Sequence, residues 1–174
     1  MRKLIYLTGQ IDSPFLCNEI DQFRKHFDEV LVVAYDDDIK SCDALSKRYD
    51  FKYLLISSVG RGFGVMVDLL AWSRQPYVKQ ELGLHSRFGM KALKKRAYVY
   101  LYGLYGVKLR RLLEGYVKPE DELYVYSFWL SRPAFGNALI SNWYVNNVKN
   151  CVSRTHRYDL YEEENELGYL PFRK

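Results

Sequence analysis

The residues with the most chemistry to offer stand close together near the carboxyl end of the sequence. Arg154 and His156 follow a short strand-like stretch, residues 149–153, and Asp159 comes three positions after the histidine. An imidazole carries charge near neutral pH and both donates and accepts hydrogen bonds. Ligands of open α/β sheets bind where strands end at their carboxyl side. Two interpretations stay open: a binding or catalytic histidine, or a loop histidine bonded to a carbonyl or to Asp159.

A second candidate site is the loop after the first apolar run, residues 4–8. Gly9 and Gln10 follow that run, and Ser13 and Pro14 then begin a predicted helix. Ser is a favoured N-cap residue and Pro is favoured in the first helical turn. The free N–H groups of a helix N-terminus can bind phosphates. The loop is therefore either a ligand contact, through Gly9 and Gln10, or an ordinary turn.

Apolar runs of strand length alternate with segments of helical periodicity along the chain. The predicted strands are residues 4–8, 30–35, 53–56, 123–129 and 149–153. The predicted helices are residues 15–26, 40–48, 65–73, 90–116 and 133–142. We expect Gly103 or Gly106 to interrupt the longest helix. The alternation is typical of a doubly wound, mostly parallel α/β sheet. We predict one domain over residues 1–174, with strand 4–8 central between strands 30–35 and 123–128.

Composition excludes several classes of protein. Of the 174 residues, 48% are hydrophobic and 27% are charged, as in globular domains rather than disordered chains. The net charge of +5 comes without a base-reading motif, so we predict no nucleic-acid partner. Cys17, Cys42 and Cys151 lack metal-ligand spacing, which predicts reduced thiols and no bound metal. The apolar run after Met1 is too short for a signal peptide, and we expect a cytoplasmic protein.

One stretch combines positive charge with aromatic side chains. Lys94, Lys95 and Arg96 are among seven basic residues between positions 91 and 116, where they alternate with tyrosines and leucines. Cations beside aromatic rings can rest on an anionic membrane surface. A long helix with one buried face and one solvated basic face explains the pattern equally well, so both interpretations stay open.

Two parts of the sequence resemble a known enzyme family. Residues 153–161 read SRTHRYDLY and residues 168–173 read GYLPFR. Closely similar runs occur in the amino-terminal domain of bacterial family-4-type glycosyltransferases of cell-surface polysaccharide synthesis. The resemblance is strongest over residues 14–34 and 124–173. It implies the acceptor-side, Rossmann-like domain of a two-domain enzyme with the B-type fold.

The resemblance also implies roles for particular residues. His156 matches a histidine that faces the cleft between the two domains, and we predict it to be catalytic. Arg154, Tyr158 and Asp159 match the same run, and we predict that they bind substrate together with Gly9 and Gln10. Such enzymes move a sugar from a nucleotide-sugar to a glycan or lipid-linked acceptor in capsule, exopolysaccharide or lipopolysaccharide synthesis. They retain the anomeric configuration and need no cofactor.

In that family the nucleotide-sugar binds mainly in a second Rossmann-like domain, which the 174 residues do not include. We therefore expect the chain to be inactive alone. It would be a fragment, a truncated gene product, or a subunit that works with a separate second-domain chain. The alternative is a non-enzymatic α/β binding module, for example one that recruits such a chain to the inner face of the membrane. A third hypothesis is a small nucleotide-binding protein.

Overall fold

The computed structural model describes residues 1–9, 11, 14–35, 39–60, 62–85, 89–128, 131–154, 169 and 171–172. The strands in these ranges are β1 (Arg2–Thr8), β2 (Glu29–Ala34), β3 (Lys52–Leu55), β4 (Glu122–Phe128) and β5 (Val148–Arg154). The α-helices are α1 (Pro14–Phe23), α2 (Ile39–Tyr49), α3 (Phe63–Ser73), α4 (Pro76–Gly83), α5 (Met90–Leu113) and α6 (Arg132–Trp143). A short 3₁₀ helix, Ile56–Ser58, follows β3.

The strands form one parallel sheet in the order β3-β2-β1-β4-β5. The chain adds β2 and β3 on one side of β1 and then returns to add β4 and β5 on the other side. This reversal is the mark of a doubly wound sheet. The predicted fold class and the predicted central position of the first strand are both confirmed.

β1 is buried on both faces, as a central parallel strand must be. Leu4 and Tyr6 enter a core cluster that α1 and α2 cover, whereas Ile5 and Leu7 enter a second cluster beneath α5 and α6. Removing an apolar side chain of this size from water stabilises the fold by about 1.5–3 kcal/mol. The apolar run in the sequence is continuous because both faces of the strand need such side chains.

A second layer of helices covers the outer side of α5. Val65 and Trp72 of α3 and Val78 of α4 form a third apolar cluster with α5. Tyr169 and Phe172, near the carboxyl end of the chain, pack into the same cluster. α5 therefore lies between the sheet and an outer layer to which the end of the chain contributes.

α5 is continuous over 24 residues, so the predicted interruption at Gly103 or Gly106 is wrong. Both glycines are points of close approach between helices. A Cβ on Gly103 would lie 2.2 Å from Cζ3 of Trp72, and one on Gly106 would lie 2.6 Å from Cδ1 of Leu139. Each glycine lowers helix stability by roughly 0.5–1 kcal/mol relative to Ala. The packing of Trp72 and Leu139 against the bare backbone offsets that loss.

α4 is a helix that the periodicity of the sequence does not reveal. Its buried residues are Val78 and Glu81, which is too few apolar positions to form a recognisable stripe. The helix begins at Pro76, a residue suited to the first turn because it lacks an N–H that would stay unpaired. α4 is held by its contact with the outer side of α5 and with the end of the chain.

A buried lysine closes the amino edge of the sheet. Nζ of Lys3 lies 2.6 Å from Oδ2 of Asp121 and 3.9 Å from Oε1 of Glu29. The side chains of Lys3 and Asp121 are only 6% and 2% exposed. Nζ also donates a hydrogen bond of 3.1 Å to the carbonyl oxygen of Tyr116. Because these groups stand at the starts of β1, β2 and β4, the network ties the three central strands together.

The close approach at Gly103 gives a first prediction. Gly103→Ala should lower the free energy of unfolding by about 1–3 kcal/mol, because the added methyl group overlaps the Trp72 ring. Gly83→Ala is the matched control, since no described atom lies within 4 Å of a Cβ there. It should be neutral or stabilise by up to about 1 kcal/mol. Urea denaturation measures both, and equal effects would contradict the proposed packing.

The amino-edge network gives a second prediction, on the dependence of stability on pH. Burial by itself would raise the pKa of the Asp121 carboxyl, but hydrogen bonds from Lys3 and from the Lys118 N–H, with the Lys3 charge, hold that pKa below its ordinary value. A carboxyl group of this kind stabilises the fold above its unfolded pKa of about 3.9, and the gain is lost as pH falls through the folded pKa. We expect the urea midpoint to fall below about pH 5, and Asp121→Asn to weaken that fall.

At pH 7, Asp121→Asn should cost about 3 kcal/mol, near the low end for a broken buried ion pair, because Glu29 still faces the lysine. Asp28→Asn is the control. The Arg2–Asp28 pair is roughly half exposed, and losing it should cost less than about 1 kcal/mol. A loss at Asp121 no larger than the loss at Asp28 would show that the buried pair does not hold the strands.

Candidate functional site

The carboxyl ends of β1, β4 and β5 lie side by side at one edge of the sheet. Leu7 is in register with Ser127, and Ser127 with Ser153. β1 and β5 are two strand spacings apart, which is about 10 Å. Gly9 and Arg154, both predicted to bind substrate, therefore lie at the same edge on either side of β4. The strand order reverses beside β1, and doubly wound sheets bind their ligands at such a reversal.

The backbone at Gly9 is open to a ligand. Its carbonyl oxygen accepts a hydrogen bond of 3.2 Å from the N–H of Tyr35. Among the described residues, no atom lies within 4 Å of a Cβ built on Gly9. The guanidinium carbon of Arg132, at the start of α6, lies 5.4 Å from the centre of the Tyr35 ring. The open backbone at Gly9 and the guanidinium of Arg132 beside Tyr35 are suited to an anionic group of a ligand.

Arg154 ends β5 and is joined to α1 across the sheet. Its Nη1 lies 2.6 Å from Oε1 of Glu19, a residue 135 positions away in the sequence. Its guanidinium carbon lies 5.2 Å from the centre of the Phe128 ring. The side chain of Arg154 remains 43% exposed. The carboxylate and the ring therefore orient the guanidinium while part of it still faces solvent at the carboxyl edge.

Two tyrosines complete this group, which we call the Glu19 cluster: Tyr6, Glu19, Tyr126 and Arg154. The Tyr6 hydroxyl donates a hydrogen bond of 3.0 Å to Oε2 of Glu19, and the Tyr6 and Tyr126 ring centres are 5.0 Å apart. Burial, followed by the negative charge of Glu19, raises the pKa of both phenols above the ordinary value. Both tyrosines are therefore neutral hydrogen-bond donors at physiological pH.

The structure places the predicted site residues unevenly. It brings Gly9 and Arg154 to one edge of the sheet, and their predicted binding of substrate stays a prediction. Gln10, His156, Tyr158 and Asp159 lie outside the described residues, so their predicted roles stay predictions.

The three predicted membrane residues lie near the start of α5, away from the Glu19 cluster. Lys94 and Arg96 are exposed. Lys95 is half-buried, and its Nζ lies 5.2 Å from the centre of the Tyr169 ring. Lys94 and Arg96 can therefore meet a membrane surface more fully than Lys95.

The sequence analysis did not predict that Glu19, Tyr6 and Tyr126 form a cluster with Arg154. One signal was present, because both tyrosines stand in the middle of strongly apolar strands. A buried tyrosine usually needs a partner for its hydroxyl, so two of them predict a buried polar group nearby. That the partner would be Glu19 could not be predicted, because it depends on how α1 lies across the sheet.

The described ranges contain neither a candidate metal site nor a helix that could span a membrane. No group of three or more His, Cys, Asp or Glu side chains there is placed to hold a metal ion. No helix in the same ranges is long and apolar enough to cross a membrane. Comparisons of the chain with protein-family models, with curated proteins and with solved structures found no match.

The Glu19 cluster gives a third prediction. Glu19→Gln keeps an oxygen acceptor for Tyr6 but removes the charge that faces Arg154, so it should cost less than about 1 kcal/mol, as for a partly exposed ion pair. Glu19→Leu also leaves the Tyr6 hydroxyl without its acceptor and should cost a further 1–3 kcal/mol or so. Urea denaturation measures the difference. Tyr6→Phe in the Glu19→Leu background should recover most of the further loss, and no recovery would mean that the hydroxyl bond is not its source.

Proposed function

We propose that the chain is the acceptor-side domain of a B-type, retaining glycosyltransferase that transfers a sugar from a nucleotide-sugar to a glycan or lipid-linked acceptor. The resemblance of residues 153–161 and 168–173 to that domain supports the proposal. The observation that carries it is the course of β5. This strand delivers the first residues of the resembling run to the carboxyl edge, beside the reversal at β1. Ligands of doubly wound sheets bind at that position.

Sugar transfer requires two things of such a site. The acceptor hydroxyl has to be held against the anomeric carbon, and an oxocarbenium-like transition state with a departing diphosphate has to be stabilised. Arg154, oriented by Glu19, supplies positive charge for the diphosphate. The open backbone at Gly9 and the amino end of α1 supply N–H donors for the same group. His156, two residues beyond Arg154, would act on the sugars from the cleft.

The proposal predicts that the 174-residue chain alone is inactive, because the donor site of the resembling family lies mainly in another domain. Release of UDP or GDP from nucleotide-sugars, measured with a coupled assay and neutral glycan acceptors, should stay at background. Turnover above background that is lost in His156→Ala would contradict the assignment of the donor site to another domain. It would mean that this chain contains the donor site.

A partner domain should restore activity. If the reading frame after Lys174 or a neighbouring gene encodes a second Rossmann-like domain, we expect the two together to transfer sugar. His156→Ala and Arg154→Gln should each lower kcat/KM of the pair by about 100-fold or more, the usual effect of losing an acid–base or charge-stabilising group. Arg74→Gln, on an exposed turn after α3, is the control and should have no effect. Transfer that survives the first two substitutions would contradict the proposed site.

A second role, attachment to an anionic membrane surface, is supported by the outer helices. Four apolar residues of α3 are exposed at helical spacing: Phe63, Met66, Val67 and Leu70. Phe63 is 87% exposed, and contiguous apolar surface of this kind marks an interaction site. Asp68 and Trp72, on the opposite side of α3, meet Arg111 and Gly103 of α5. The apolar row therefore points away from the rest of the protein.

α5 adds positive charge beside a second apolar stripe. The helix has seven Lys and Arg residues and no Asp or Glu. Met90 and Leu93 are exposed near its start, together with Lys94 and Arg96, and Leu101 is exposed at its middle. Cations that flank exposed apolar side chains favour an anionic lipid surface, where burial and electrostatic attraction add.

The membrane role gives its own prediction. Binding to vesicles that contain phosphatidylglycerol should exceed binding to phosphatidylcholine vesicles and should weaken as salt is raised. Replacing Lys94, Lys95 and Arg96 by Gln should weaken binding by about 2–3 kcal/mol, at roughly 1 kcal/mol for each fully exposed cation. Phe63→Ser should weaken it by about 1.5–3 kcal/mol through lost burial.

Val145→Ser is the matched control, because Val145 is 71% exposed but lies after α6 rather than on α3 or α5. Vesicle cosedimentation at several salt concentrations measures the binding of the triple Gln variant, of Phe63→Ser and of Val145→Ser. If the protein binds neutral and anionic vesicles equally, or if the α3 and α5 substitutions leave binding unchanged, the membrane role is contradicted. The exposed faces of both helices would then simply be solvated.

A further inference from the structure

We propose that a cavity between α4, α5 and α6 is a binding site for a neutral sugar ring. The choice of a sugar rests on the proposed function, whereas the site itself rests on the cavity. The cavity has a volume of about 580 Å³ and extends from α4 to Ser153 near the end of β5. Small-molecule sites typically have volumes of about 300–1,000 Å³. The cavity is therefore large enough for a ligand of that class.

Aromatic rings form much of the wall. Tyr77, Tyr102, Phe135 and Phe172 line the cavity. The Phe135 and Phe172 rings stack with centres 4.8 Å apart and planes 16° apart, and the Tyr102 ring centre lies 5.5 Å from that of Phe135. The face of an aromatic ring is electron-rich. It therefore suits the C–H groups on one side of a sugar ring, which carry a small positive charge.

Phe172 has an unusual backbone conformation at this wall. Its φ of 63° lies in the left-handed region, which bulky residues rarely adopt. Its ring is held by Trp72, Tyr77, Tyr102 and Phe135. Residues kept in strained conformations by their surroundings are found often at ligand sites. The surrounding rings thus fix the aromatic wall before any ligand arrives.

Ser153 supplies a donor of fixed orientation at one end of the cavity. Its Oγ accepts hydrogen bonds from Oγ of Ser127 at 2.7 Å and from Nδ2 of Asn137 at 3.2 Å. Ser127 and Asn137 are both buried, and Nδ2 of Asn137 is also held by the carbonyl oxygen of Val152 at 3.0 Å. A hydroxyl has two acceptor positions and one proton. Because both acceptor positions are used, the proton of Ser153 remains for a ligand.

Glu81 supplies an acceptor on the α4 side. The residue is only 8% exposed, and its Oε1 accepts a hydrogen bond from the Tyr169 hydroxyl. A carboxylate accepts several hydrogen bonds, so it can also receive the hydroxyl groups of a sugar. No Lys or Arg is among the described residues that line the cavity. An anionic ligand such as a nucleotide diphosphate would meet a carboxylate without a counter-charge, so the cavity suits the acceptor rather than the donor.

The position of the cavity connects it to the carboxyl edge. Ser131, at the start of α6, and Ser153 both line it. Arg154 of the Glu19 cluster follows Ser153 directly. The two side chains lie on opposite faces of β5, as successive strand residues do, because Ser153 meets Asn137 of α6 and Arg154 meets Glu19 of α1. The cavity therefore reaches the carboxyl end of β5 from the α6 face of the sheet.

Binding is tested on the whole chain with a panel of neutral methyl glycosides and disaccharides, followed by NMR chemical shifts. UDP serves as the anionic probe and tetramethylammonium as the cationic probe. We expect at least one neutral glycoside to shift the signals of Glu81, Ser153 and Phe172 in a saturable way, and UDP to leave them unchanged. Ser153→Ala should weaken glycoside binding about three- to tenfold, since one hydrogen bond is lost.

Filling the cavity gives the sharper comparison. Ala138→Phe places a ring in the cavity from α6 and should weaken glycoside binding at least tenfold. Ala97→Phe is the matched control, because Ala97 is also an exposed alanine within a helix but lies outside the cavity. The urea midpoint of each variant shows whether it is folded. Glycoside binding that Ala138→Phe leaves unchanged in a folded protein would overturn the proposal.

The remaining outcomes separate this inference from the proposed function. Tight binding of UDP or tetramethylammonium in the cavity, or no binding of any neutral glycoside, overturns the sugar site. If no glycoside binds but the chain still transfers sugar with a second-domain chain, the proposed function stands and the cavity proposal fails. Glycoside binding without transfer under any pairing supports the cavity and counts against the enzyme.

Discussion

Double burial of the first strand is the constraint on which the rest of the fold depends. Residues 4–7 alternate between two apolar clusters, so β1 cannot be stable until both faces of the sheet are covered. α1 and α2 cover one face, and α5 and α6 cover the other. To place helices on both faces, the chain adds strands first on one side of β1 and then on the other. The reversal that results is what creates a crevice at the carboxyl edge.

The two edges of the sheet use their polar residues differently. At the amino edge, Lys3, Glu29 and Asp121 satisfy one another in a buried network and leave little for a ligand. At the carboxyl edge, Glu19 fixes Arg154 while the guanidinium stays partly exposed, and the backbone at Gly9 is open. Charge that is paired and buried stabilises or specifies a fold, whereas charge that is oriented but accessible can act on a substrate. The contrast supports a site at the carboxyl edge.

The outer layer adds two candidate interaction surfaces that the sheet alone would lack. Gly103 lets Trp72 of α3 approach the α5 backbone, and the same cluster receives Phe172 from the end of the chain. This arrangement leaves a cavity on the α4 side and an exposed apolar row on α3. The packing that builds the layer therefore also shapes both of its candidate interaction surfaces.

From the sequence alone we could predict the α/β class, the strands, the central place of β1 and five of the six α-helices in the described ranges. Continuous apolar runs and helical stripes report directly which residues are buried. It also indicated Gly9, because this residue directly follows the first strand, whereas Arg154 was indicated by the resemblance of residues 153–161. Which element covers each buried face could not be predicted, because it depends on how distant segments pack together. Gly103 was expected to break a helix, but it lies against the Trp72 ring inside a continuous helix. α4 has too few buried residues to give a recognisable helical period in the sequence. The Glu19–Arg154 pair joins residues 135 positions apart, and the cavity draws its walls from α4, α5, α6 and the end of the chain. A local pattern records that a residue is buried but not which distant residue covers it, so these features appear only when the helices are packed on the sheet.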